Sequence, residues 1–166
     1  MPVLRWPPAP TPRDELGVVG HGPALLARSP GVAAGLQCVF THPGGLHLPM
    51  VLRAEGVQAE AASRGDRHRW LADTSSGQEP GSDPYAGPTL IVGADGEQRS
   101  ADPGRSEGSS GHDTFERQMH YWIGCLPADG TLELTIGWPR AGLAQTTTAL
   151  QLASLDDLAG RVLRLL

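Results

Sequence analysis

Six histidines, two cysteines and a scatter of acids are the residues of this chain that could do chemistry, and their spacing limits what is available to them. A zinc site on one helix needs histidines a turn apart with an acid between them, and a zinc ribbon needs CxxC pairs. Neither pattern occurs among His21, His42, His47, His68, His112 and His120, or around Cys38 and Cys125. His42 and His47 stand on either side of one Pro-Gly-Gly turn, so they are the pair to test first for a metal. A metal-dependent binder or enzyme would have to collect histidines and acids from separate loops. The tract GSSGHD (108–113) holds serine, histidine and aspartate, but side by side in a glycine-rich stretch they cannot form the oriented relay of a triad. GxSxG, GxxxxGK[ST] and GxGxxG are all absent. No cofactor is indicated.

The segment RGDRHRW (64–70) offers a second kind of chemistry. Arg64, Arg67 and Arg69 could grip an anion while Trp70 stacks on a flat ring. The chain around it is acidic, with a net charge of −5, so a solvated loop is the simpler reading and nucleic acid is not an expected partner.

The richest stretch is QMHYWIGCLPADGTLELTIGWP (118–139). Its second half alternates Leu132, Leu134, Ile136 and Trp138 with Thr131, Glu133, Thr135 and Gly137, the period of a half-buried strand. Folded back through PADG as a hairpin, it pairs Cys125 with Leu132, Ile123 with Leu134, Tyr121 with Ile136 and Met119 with Trp138. His120 and Trp122 fall on the opposite, wet face, where the indole would cover the backbone of nearby glycines. The reactive side chains thus divide between two faces, and the segment reads as scaffold with His120 and Trp122 as candidate interaction residues.

A second hairpin is expected in GLQCVFTHPGGLHLPMVLRAEG (35–56). A three-residue loop, Pro43 to Gly45, opposes Phe40 to Leu48, Cys38 to Met50 and Leu36 to Leu52 on one dry face, leaving Gln37, Thr41, His47 and Arg53 wet. Both cysteines are then buried, and in a reducing compartment they remain thiols. Shorter strands are expected in PALLARS (23–29), PTLIVGADGEQ (88–98) and QTTTALQLA (145–153). SLDDLAGRVLRLL (154–166) has Ser154 as N-cap and leucines at helical spacing, so it predicts a short amphipathic helix. The alanine-rich stretch 56–70 supports no assignment beyond a strand followed by a loop.

Length and composition frame these elements. A chain of 166 residues suits one core. Glycine (22) and proline (15) are far above average, which favours turns and short strands over long helices. Aromatic residues make up only 5% of the chain, so the core is built from Leu, Val and Ala with a few large rings. The first 15 residues carry five prolines and predict an extended arm; residues 74–88 and 100–112 read as mobile polar insertions. No apolar run is long enough to span a bilayer and the N-terminus does not resemble a signal peptide, so a cytoplasmic protein without a membrane partner is expected. All thirteen basic residues are arginine and asparagine is absent, a signature of a GC-rich genome.

The pattern YW…LP…G.L.L….WP..G, carried by Tyr121, Trp122, Leu126, Pro127, Gly130, Leu132, Trp138, Pro139 and Gly142, resembles a family of uncharacterised actinobacterial proteins, with a weaker match over 32–53. The resemblance implies a bacterial origin and a strand-rich C-terminal third, and brings no activity with it. The expectation is a mainly-β protein, an antiparallel two-sheet β-sandwich of immunoglobulin-like architecture without the immunoglobulin signature, over residues 16–166. Its expected role is a non-catalytic protein-interaction or accessory module.

Overall fold

The computed structural model describes residues 4–74 and 87–166, with side chains outside 66–74. Among the described residues, thirteen strands run β1 (Glu15–Leu16), β2 (Val18–His21), β3 (Ala24–Ser29), β4 (Val32–Leu36), β5 (Val39–His42), β6 (Gly45–Glu55), β7 (Thr89–Ala94), β8 (Glu97–Ala101), β9 (Arg105–Gly111), β10 (Thr114–Ile123), β11 (Thr131–Trp138), β12 (Leu143–Gln151) and β13 (Leu163–Arg164). Helix α1 (Gly56–Thr74) follows β6, and a single turn α2 (Leu158–Arg161) precedes β13. The fold is mainly β with antiparallel sheets. Seven strands form one sheet around β6 and β10, and β12-β11-β7-β8 form a second; β1 and β13 make a separate ribbon.

The inner faces of the two sheets carry the expected residues. Leu46, Leu48, Met50 and Leu52 of β6 are buried, as are Met119, Tyr121 and Ile123 of β10 and Leu132, Leu134, Ile136 and Trp138 of β11. Phe115 meets Trp138 edge to face, with ring centroids 5.9 Å apart. Along one side the sheets are laced together, Thr148 Oγ1 donating to the Leu26 carbonyl at 3.3 Å and the Ala144 amide to Ser29 Oγ at 3.1 Å.

The pairing of β10 and β11 differs from the expected hairpin. β10 pairs along its whole length with β6, Met119 opposite Met50 and Tyr121 opposite Leu48, whereas β11 lies between β7 and β12 in the other sheet. PADG is a crossover between layers, turned by Gly130 at φ +74°. Alternation reports which face of a strand is dry; it is the same for a hairpin and for two strands facing each other across a core.

The β5–β6 turn has two residues rather than three, since His42 pairs with Gly45 and Phe40 with His47. Upstream, Leu36 pairs with Met50. Three residues, 37 to 39, therefore oppose two on β6, a bulge that inverts the facing of everything between it and the turn. Val39 and Thr41 enter the core, Phe40 turns outward, and Cys38 sits half-buried at the bulge. Cys125 is also half-buried, against the edge of the core, and both cysteines are free.

Four further expectations are corrected. Residues 56–70 are helical: Ala59, Ala62 and Gly65 recur at helical spacing and are buried, so a face of small residues lies close against β6 and β10. Residues 105–111, read as a mobile insertion, form β9 beside β10 with every residue exposed; an edge strand is held by its backbone bonds and needs little apolar surface. The insertion expected at 74–88 lies outside the described residues except at its ends. The C-terminal helix is one turn, and Ser154 Oγ accepts from the Asp156 amide in a local turn instead of capping a longer helix. Finally, the proline-rich arm is docked. Trp6 is buried, its Nε1 donates to the Val92 carbonyl at 3.2 Å, and backbone bonds join Leu4 and Trp6 to Ser100.

Candidate functional site

On the outer face of the seven-stranded sheet, β2, β5, β6 and β10 bring together Val19, Phe40, His47, Trp122 and His120. The registers dictate this: Val19 opposes Phe40, Phe40 opposes His47, and His47 opposes Trp122. Phe40 is here only because of the bulge. Its ring stacks on His47 with centroids 5.6 Å apart. Val19 beside it is 56% exposed, a large apolar side chain left to solvent.

His47 Nε2 lies 2.9 Å from His120 Nδ1. The ring centroids are 5.2 Å apart, only about one ring width more than the nitrogens, so the two imidazoles meet edge to edge through a shared proton rather than face to face. Partial burial and the neighbouring imidazoles of His120 and His42 lower the His47 pKa to about 4. Burial also lowers that of His120, with Arg105 adding to the effect and Glu107 opposing it. Both rings are therefore neutral near pH 7, and one N–H serves the pair.

His42 is separated from this pair in environment. It is buried at the end of β5, edge-on to Trp122 at 5.5 Å, and its Nδ1 lies 3.6 Å from Glu15 Oε2. Glu15 belongs to the β1–β13 ribbon, so this contact ties the ribbon to the sheet. Gly17 is required at the same place, because a Cβ there would stand 2.6 Å from His42 Nε2. The pair expected from the sequence, His42 with His47, is thus replaced by His47 with His120, and no group of three or more His, Cys, Asp or Glu among the described residues is placed to hold a metal ion. Trp122 covers glycine backbone as expected, but at the β5–β6 turn: a Cβ on Gly45 would meet its ring at 2.9 Å.

The other end of the same face is polar. Gln118 Nε2 donates to Glu116 Oε1 at 3.2 Å and Arg53 Nε to Oε2 at 2.8 Å, and these two bonds, that of Gln118 foremost, hold Glu116 below the usual carboxylate range. An open groove of about 890 Å³ runs there past Arg28, Ala33, Arg53, Ser109 and Phe115. Arg64 sits on α1 and is exposed, bonded to Glu60 one turn earlier. The helix also carries Arg67, Arg69 and Trp70, whose side chains lie outside the described residues. The structure adds one buried charge that patterning missed, Arg117, which faces inward from β10 between Phe115 and Met119. Burial raises the pKa of both thiols, so neither is activated as a nucleophile.

No family model, curated protein or solved structure matches this chain. Its site has to be read from its own geometry.

Proposed function

We propose that the protein is a non-catalytic interaction module that binds a protein partner through the Val19–Phe40–His47–Trp122–His120 end of its outer sheet face. One observation carries the reading: the backbone bulge at 37–39 turns Phe40 out of the core and aligns it with exposed Val19 and half-buried rings on two further strands. Aromatic anchors on rigid strands, next to the paired charges Arg105–Glu107 beside His120, have the composition of a protein-binding patch. The partner surface suited to it presents apolar side chains to Val19 and Phe40.

The test is affinity capture of a partner from the native host, followed by direct binding measurements with the purified pair. Val19→Arg is expected to abolish binding without changing the melting temperature. Leu163→Arg, on the exposed β1–β13 ribbon, serves as the control. Loss of binding in the ribbon variant with retention in Val19→Arg would move the site elsewhere.

A further inference from the structure

We propose that His47 and His120 form a two-imidazole surface site for one divalent transition-metal ion, Cu²⁺ binding most tightly, with Ni²⁺ and Zn²⁺ behind it. This assignment is independent of the protein partner. It rests first on spacing. With metal–nitrogen bonds of about 2.0–2.1 Å, two cis nitrogens stand about 2.9 Å apart at a right angle and about 3.3 Å apart at a tetrahedral angle. His47 Nε2 and His120 Nδ1 are 2.9 Å apart, the spacing of the tetragonal geometry that Cu²⁺ favours.

The strands that carry the two ligands are also fixed in register before any ion arrives. The histidines lie diagonally across the β6–β10 ladder, His47 opposite Trp122 and His120 opposite Pro49, within a register continuous from Thr114 to Ile123. Phe40 packs on the free side of the His47 ring. Binding requires each ring to turn its lone pair from the other nitrogen towards a common point on the solvent side, where both side chains are half-exposed. The proton now shared between the rings passes to the remote nitrogen of its own ring. Since both imidazoles are neutral near pH 7, no net proton is released there.

The charged and titratable neighbours are His42 on β5 and Arg105 and Glu107 on β9. The Glu107 carboxylate favours a cation and the Arg105 guanidinium opposes it. Two protein donors leave the remaining coordination positions to water, so the site is modest in affinity and its order of preference follows the Irving–Williams series.

The experiment is calorimetric titration of the full-length chain with Cu²⁺ alone at pH 7.5, with electron paramagnetic resonance of the bound ion. One equivalent should bind with hyperfine coupling from two imidazole nitrogens, and the melting temperature should rise. His47→Gln and His120→Gln should each weaken binding at least tenfold and remove the thermal shift, while His21→Gln and His112→Gln should not. If His47→Gln fails to fold, His120→Gln decides alone. Absence of a one-equivalent site, or unchanged affinity in His120→Gln, overturns the proposal.

Discussion

Phe115 of β10 and Trp138 of β11 meet edge to face at 5.9 Å across the gap between the two sheets, although their strands are consecutive in the chain. The contact joins the layers where Trp138 is 1% and Phe115 2% exposed. Trp138→Ala is expected to cost about 3–5 kcal/mol in urea unfolding. A double-mutant cycle of Phe115→Leu with Trp138→Leu should return a coupling of about 0.5–1.5 kcal/mol. Coupling near zero would mean that the rings do not touch.

Acid should weaken the fold through His47. Its pKa is about 4 in the folded chain against 6.5 for the free side chain, so between these values the unfolded chain binds more protons. Stability therefore rises with pH in this window: it is complete above about pH 6.5 and is lost as pH falls towards 4. Water screens the partly exposed ring, which keeps the loss to about 1–2 kcal/mol. His47→Gln should flatten that part of the stability–pH curve. Once acid has converted both rings to imidazolium, two donors face each other and the edge-to-edge contact breaks, which ¹⁵N chemical shifts of the imidazoles would report.

Gly45 cannot accept a side chain. A Cβ there would stand 2.2 Å from the Ile123 carbonyl and 2.9 Å from the Trp122 ring. Gly45→Ala should destabilise by about 1–3 kcal/mol and alter the fluorescence of Trp122. Gly22→Ala is the control, because a Cβ at that position meets nothing within 4 Å. Equal melting temperatures for the two variants would contradict the close approach of β10 to the turn.

The N-terminal segment should behave as part of the fold. Trp6 is 7% exposed, bonds the Val92 carbonyl and lies under the Arg99 guanidinium, 5.0 Å from its ring. Trp6→Ala should release residues 4–10, seen as faster hydrogen exchange at the Trp6 and Ser100 amides and as new proteolytic cuts before β1. Wild-type exchange as fast as that of the variant would show an undocked arm.

Local pattern was sufficient for the dry faces of β6, β10 and β11, though not for β5 beyond its bulge. Leucines two apart in β6 and β11 name the buried side of each strand, because a pleated backbone sends alternate side chains to opposite faces wherever the strand lies. The same rule carried His47, Arg53, His120 and Trp122 to the outer surface, so three of the five candidate-site residues were legible and Val19 and Phe40 were not. The helix at 56–74 was hidden because the buried positions among its described side chains, Ala59, Ala62 and Gly65, carry little hydrophobic signal.

What only the tertiary structure decided is which strands are neighbours and where one residue is left over. The chain by itself determined that Met119, Tyr121, Leu132 and Leu134 are dry; it could not say that they belong to two sheets, since the hydrophobic driving force is non-directional and either arrangement removes them from water. The bulge at 37–39 arises when the short β5–β6 turn and the Leu36–Met50 pairing must both be met along one strand. Phe40 faces outward as a result, and the edge-to-edge contact of His47 with His120, 73 residues apart, exists because β10 chose β6 as its partner rather than β11.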